Sequence, residues 1–128
     1  MLTDFATILA DADKKGYAVP AFNVYNMETV LGAARAADKL RAPVILQFYS
    51  RLATTGLAGY LCPIVKAAAQ AVSVPVCLHL DHGSGYEAAA VAVANGATGV
   101  MLDFSERPFD GNIACTARAV TVLSALGI

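Results

Sequence analysis

The run Val74-Pro75-Val76-Cys77-Leu78-His79-Leu80-Asp81-His82-Gly83 decides the reading of this chain, because it sets a carboxylate between two imidazoles where an apolar stretch ends. At the two-residue period of a strand, Val76, Leu78 and Leu80 share one face and Cys77, His79 and Asp81 the other, with His82 opening the following loop. One face is oily and the other is chemical. A strand whose outer face packs on helices and whose inner face lines a lumen gives this pattern; a sheet with one face in water would carry charge along that whole face. Asp81 and His82 are therefore expected at a mouth, the strand-end position where barrels keep their chemistry.

Working outward, residues 19–23, 43–49, 75–81 and 99–103 form four short apolar runs. They alternate with segments of helical composition at 27–41, 60–72, 86–95 and 112–126, and a further helix is expected at 3–14. Repeated β-α alternation predicts an α/β fold with a parallel sheet. Asn26 ahead of Met27-Glu28 and Asp110 ahead of Asn112 are candidate N-caps, and Gly96 follows a run of Ala and Val as a helix terminator does. The strand period brings Asn23, then Ile45, Gln47 and Tyr49, then His79 and Asp81, then Met101 and Asp103 to one common face. Phe22, Val44, Leu46, Phe48, Val100 and Leu102 are expected against the helices. A single such polar residue is ordinarily a satisfied buried group; the convergence of four strands is what points to a site. A complete (β/α)8 barrel takes about 250 residues, so four β-α units make about the first half of one, read here as a single domain over residues 1–128. Its two outer strands would be unprotected edges, which predicts a homo-oligomer or a complementary half-barrel as partner.

Composition narrows the function. The chain is 57% hydrophobic and 15% charged, richer in apolar residues than a typical domain. A net charge of -1 without a basic cluster argues against nucleic acid or an anionic membrane surface as the main partner and favours a small molecule. The most apolar stretch, 88–102, is broken by Asn95, Gly96, Thr98 and Gly99, too early for a membrane span. The start, Met1-Leu2-Thr3-Asp4, has no basic leader before an apolar core, and a cytoplasmic protein is expected. Cys62, Cys77 and Cys115 are odd in number and widely spaced, which suits small buried hydrophobes rather than disulfides or a metal knuckle.

At these residues the chain resembles the N-terminal half of the class II, zinc-dependent ketose-bisphosphate aldolases, the fructose- and tagatose-bisphosphate enzymes. The resemblance runs over nearly all 128 residues. It is carried by Tyr17-Ala18-Val19-Pro20-Ala21-Phe22-Asn23, Asn26-Met27-Glu28-Thr29, Ala42-Pro43-Val44-Ile45-Leu46-Gln47, the His79-to-Gly83 run, and Val100-Met101-Leu102-Asp103-Phe104-Ser105 leading to Asn112. It implies that Asp81 is the catalytic acid/base and His82 a zinc ligand, with Zn²⁺ holding the enediolate charge that aldol cleavage leaves behind. His79 is not a ligand in that pattern and reads as a structural imidazole. Asp103 matches an aspartate near the metal that is a candidate for holding a second, monovalent or divalent cation; a carboxylate capping the next loop is the other reading. Ser105 and Asn112 fit the pattern and fit equally a turn and a helix start.

The chain also departs from that pattern. Tyr49-Ser50-Arg51 stands where a small hydroxyl residue near a substrate phosphate is usual, which makes Asn23, Tyr49 and Ser50 the candidates for binding a phosphorylated ketose, with Arg51 as an alternative cation. Gly111 replaces a usually acidic residue. A catalytic zinc takes about three protein ligands plus an open position, and this chain has two His. The resemblance puts two further zinc-binding histidines and the phosphate loops in the second barrel half, so catalysis by residues 1–128 alone is not expected. The competing reading is a non-catalytic half-barrel acting as an assembly or binding module. A hydrolase barrel of the His-x-His type is disfavoured, because that place holds His79-Leu80-Asp81.

Overall fold

The computed structural model describes residues 1–128. Four parallel strands, β1 (Ala21–Asn23), β2 (Val44–Tyr49), β3 (Val76–Gly83) and β4 (Gly99–Leu102), lie in the order β1-β2-β3-β4. The helices are α1 (Phe5–Lys15), α2 (Met27–Leu40), α3 (Ser50–Thr54), α4 (Ala58–Gln70), α5 (Tyr86–Ala94) and α6 (Phe109–Ala125). Sequential order with parallel pairing throughout is the first half of a (β/α)8 barrel, as the alternation predicted. No helix is long and apolar enough to cross a membrane.

The helix ends follow local chemistry. Asn26 caps α2 in a reciprocal box: its side chain accepts from the Thr29 amide, and the Thr29 hydroxyl accepts from the Asn26 amide. Asp4, unmarked by the sequence reading, caps α1 through the Thr7 amide. Asp110 is not a cap. Helix α6 starts earlier, behind Pro108, whose fixed φ suits a helix entry, and Asp110 falls in the first turn, where the helix dipole favours an acid. Gly96 follows the last turn of α5 with φ of 91°. Helix α3 was not foreseen: its five residues are too few to show a helical period.

The outer face of the sheet carries the main core. Val44, Leu46 and Phe48 on β2 and Val76, Leu78 and Leu80 on β3 are fully buried against residues of α2, α4 and α5. Helix α4 buries Ala58, Leu61, Cys62, Val65, Ala68 and Ala69, the stripe expected of a 3.6-residue period. Phe22 departs from expectation. It is 50% exposed, because β1 is an edge strand with no element beyond it to close over the ring. Helix α6 is similarly underused: it buries only Ala119 and leaves Phe109, Ile113, Val120 and Val122 exposed.

The inner face is layered. At the N-terminal ends of the strands, Ile45 and Cys77 pack with Ile8, Phe5 and Val19, so α1 plugs the lumen from below. Residues Met1–Thr3 run parallel to the start of β3, with Leu2 bridged to Val76: Thr3 N–H donates to Val76 O at 2.9 Å, and Phe5 N–H to Thr98 O at 3.1 Å. Burial pushes the Cys62 and Cys77 thiols up to about 11, which keeps both protonated as small core hydrophobes; Cys115, by contrast, is only half-buried on α6. One residue higher on each face, Asn23, Gln47, His79 and Gly99 stand in register across all four strands.

Gly99 makes room for this packing. A Cβ built there would lie 2.8 Å from Phe5 Cβ and 2.9 Å from His79 Nδ1, closer than real contacts allow, and Phe5 Cβ cannot swing away without moving α1. Gly99→Ala is therefore expected to destabilise the fold by about 1–3 kcal/mol through overpacking. Urea unfolding of the two chains checks it; equal midpoints would show that α1 is not seated against β4.

Candidate functional site

The site is built by an irregularity in β3. Leu80 pairs with Val100 and Gly83 with Leu102, so three steps on β3 face two on β4: one extra residue is inserted at Asp81-His82. The bulge is carried by His82, whose φ of 47° is unusual for a residue with a side chain. Strict alternation sends Asp81 inward and His82 to the opposite face; the inserted residue re-aims His82 to the same rim. His82 was expected to open a loop, and instead it lies within the strand. Gly83 makes the bulge sterically feasible, since a Cβ there would meet the Met101 carbonyl oxygen at 2.9 Å and Leu102 Cδ2 at 2.7 Å.

Each side chain is then fixed by a neighbour. Gln47 Nε2, from β2, donates to Asp81 Oδ2 at 3.0 Å, while Asp81 Oδ1 faces His82 Nε2 at 3.9 Å. Asp103, just past β4, takes His82 Nδ1 on Oδ2 at 2.8 Å and the Ser105 amide and hydroxyl on Oδ1 at 3.0 and 2.6 Å. Those donors hold the Asp103 carboxyl well below the usual carboxylate range, Ser105 contributing most and His82 next. An ionised Asp103 accepts only, so His82 Nδ1 carries the proton and, in the neutral ring, Nε2 bears the lone pair. The hydrogen bond to Asp103, followed by the charge of Asp81, raises the His82 pKa. A carboxylate behind one imidazole nitrogen is the arrangement that orients a histidine as metal ligand.

His79 has the opposite environment. It is 6% exposed and stacks on Phe5 with ring centroids 4.7 Å apart and planes 16° from parallel. Its Nδ1 has no hydrogen-bond partner, and burial lowers its pKa despite the nearby Asp81 charge. Stacking is worth about 0.5–1.5 kcal/mol, far less than burying an imidazolium costs, so His79 stays neutral. Its ring lies against Phe5 and the Gly99 backbone of β4, a packed position that agrees with a structural imidazole.

The remaining candidates separate. Tyr49 is half-exposed, its ring 6.5 Å from that of His82. Asn23 is exposed at the end of β1. Ser50 is buried at 4% and bonded to Ser84, accepting from the Ser84 amide and donating to its hydroxyl, each at 3.0 Å; it ties α3 to the loop after β3. Arg51 lies exposed on α3. A largely polar recess of about 380 Å³ opens beside His82, with Tyr49, Ser84, Asp103 and Ser105 in its wall. It also includes Glu106 and Arg107, which sequence reasoning passed over. Their signal was position, a charged pair in the loop directly after a strand-end aspartate.

No group of three or more His, Cys, Asp or Glu side chains is arranged to hold a metal ion. His82 Nε2 fits as one donor; Asp103 stands behind the ring on Nδ1 with both oxygens engaged, so it orients that donor rather than adding to it.

Comparison with known proteins bears on the same elements. The family described as "Fructose-bisphosphate aldolase class-II" matches residues 3–128. A fructose-bisphosphate aldolase of Thermus caldophilus is 40% identical over 128 residues, covering 100% of this chain and 42% of that protein. A probable fructose-bisphosphate aldolase of Bacillus subtilis is 39% identical over 131 residues, covering 99% and 46%. Among solved structures, the YdjI aldolase from Escherichia coli K12 superposes with a TM-score of 0.93 at 34% identity, covering 100% of this chain and 50% of that one. The chain thus spans about half the length of the relatives it matches.

The two histidines provide a direct check by pH titration of their ring protons by NMR in the presence of a chelator. His82 is expected to titrate above the usual 6.5 and His79 below it. Because the His82 pKa is raised on folding, its stabilisation is complete below 6.5 and fades as pH rises through the folded value. Asp103 is the reverse: its contribution is present above 3.8 and fades as pH falls through its lowered value. Asp103→Asn should return His82 toward 6.5 and leave His79 unmoved. A His82 that titrates at or below 6.5 would contradict the Asp103 bond.

Proposed function

The chain belongs to the class II fructose-bisphosphate aldolase family, and we propose from this that residues 1–128 are one domain, the N-terminal half of a zinc-dependent barrel that reversibly cleaves a phosphorylated ketose to dihydroxyacetone phosphate and an aldehyde. The observation that supports it is the bulge in β3, which puts Asp81 and His82 on one rim with their opposite ends already engaged.

Asp81 is the proton-transfer group. Gln47 occupies Oδ2 and fixes the carboxylate plane, so Oδ1 remains to take the proton from the substrate hydroxyl during cleavage and to return it during condensation. His82 is a metal ligand through Nε2, with Asp103 acting on it from behind. A zinc ion bound there supplies Lewis-acid stabilisation of the enediolate oxygen. With both its oxygens engaged, Asp103 is read here as the residue that orients His82 rather than as the holder of a second cation. Tyr49 and Asn23 border the substrate, Tyr49 as wall and hydroxyl donor beside His82 and Asn23 as a rim amide.

A zinc site of this kind takes about three protein ligands, so the others come from residues outside 1–128. The free edges of β1 and β4 and the uncovered apolar side chains of α6 favour a complementary half-barrel as the partner that brings them. The same exposed surfaces favour the second reading, an assembly module without chemistry, if no such ligands arrive.

In the complete barrel, Asp81→Asn should leave zinc bound while lowering turnover by about 10²–10⁴-fold, the range for loss of a general acid-base group. His82→Ala should lose the metal. Metal content by mass spectrometry beside steady-state rates decides both; full turnover in Asp81→Asn would remove Asp81 from the chemistry, and unchanged zinc in His82→Ala would remove His82 from the ligand set.

A further inference from the structure

The loop after β4 carries a cation that no carboxylate neutralises. Between Asp103 and Pro108 the chain turns back on itself, with the Arg107 amide donating to Phe104 O at 3.0 Å. The turn buries Phe104 at 7% exposure and sets the Arg107 guanidinium 5.5 Å above its ring centre. Phe104 in turn rests against Tyr86, ring centroids 5.8 Å apart, so the platform under the guanidinium is braced from α5. A stacked guanidinium keeps its fork of N–H donors in its own plane, free for a planar or tetrahedral oxyanion.

Acidic residues surround Arg107 in sequence, yet none pairs with it. Asp103 is taken by His82 and Ser105, and the ion pairs of the molecule are Lys15 with Asp11 and His82 with Asp81 and Asp103. Gly111 completes the effect. A Cβ at that position would lie 3.8 Å from Arg107 Cβ, so residue 111 adjoins the base of the Arg107 side chain and, as glycine, brings no charge to it. Glycine leaves the charge uncompensated. Arg107 is also the one cation among the residues that line the recess beside His82; Arg51, the cation singled out by the sequence, does not line it.

We infer that Arg107 is a specificity-determining residue, binding the terminal anionic group of a polyhydroxylated substrate whose reacting end lies at Asp81 and His82. The inference rests on the aldolase reading for what the other end of the substrate does. The recess that runs from His82 to Arg107 is lined also by Tyr49, Ser84 and Ser105, hydroxyl-bearing residues of the kind that suit a chain of sugar hydroxyls. The anion is a phosphate monoester or a carboxylate, since the fork of Arg107 accepts either.

The test titrates the 128-residue chain with inorganic phosphate and, separately, with acetate, following the arginine Nε–Hε signals by NMR. Saturable shifts of Arg107 are expected, and the anion that binds more tightly names the group. Arg107→Gln, which keeps much of the stem over Phe104, should weaken binding about tenfold, the loss expected for a charge-assisted hydrogen bond. Arg107→Lys should restore part of it, and Arg35→Gln, on the exposed face of α2, should change nothing. In the complete barrel, Arg107→Gln should raise KM for an anionic substrate with little change in kcat. No shift at Arg107 with either anion, or wild-type binding by Arg107→Gln, overturns the inference. Asp81→Asn and His82→Ala leave Arg107 in place, so anion binding that persists beside full turnover in Asp81→Asn would discard the aldolase reading alone.

Discussion

The inserted residue in β3 is the constraint from which the rest of the mouth follows. A regular strand has two faces and assigns successive side chains to them without exception, so Asp81 and His82, being adjacent, would be separated by the sheet itself. One extra residue, a left-handed φ at His82 and a glycine small enough to lie against the Met101 carbonyl remove that separation. The strained backbone is over-determined by its surroundings: β4 pairs on both sides of it, and Asp103 grips the imidazole it presents.

Beneath the mouth the inner face changes character over a few residues. Ile45 and Cys77 are sealed by α1, His79 is buried against Phe5, and Asp81 above them is partly exposed and engaged by Gln47. Two imidazoles three positions apart therefore meet opposite electrostatics. Burial disfavours the charged form of His79, while two carboxylates favour it on His82, so the imidazole that takes up a proton more readily is the one at the rim.

Much of this was legible in the sequence because it rests on periodicity. The alternation of Val76, Leu78 and Leu80 with Cys77, His79 and Asp81 correctly assigned both faces of β3, and the spacing of the four apolar runs produced the parallel order. What escaped were features with no period. The bulge is a single residue, α3 is five, and the exposure of Phe22 depends on what does or does not lie beyond β1. Asp103 was identified as a site residue by resemblance, but its division of labour, one oxygen for His82 and one for Ser105, is a matter of distances that no pattern encodes. Arg107 was overlooked because its significance lies in an absent partner.

The strand order also has a temporal meaning. Every strand pairs only with its predecessor or successor in the chain, so during synthesis from the N-terminus each new β-α unit finds its docking edge already made. The plug beneath the lumen does not share that property. Helix α1 precedes all four strands in the chain, yet its seat spans three of them: Ile8 and Phe5 pack with Ile45 and Cys77 on β2 and β3, and Phe5 bonds the Thr98 carbonyl and lies beside Gly99 at β4. The seat of α1 is thus completed only when the start of β4 is in place, although its contacts with β2 and β3 need nothing beyond those two strands.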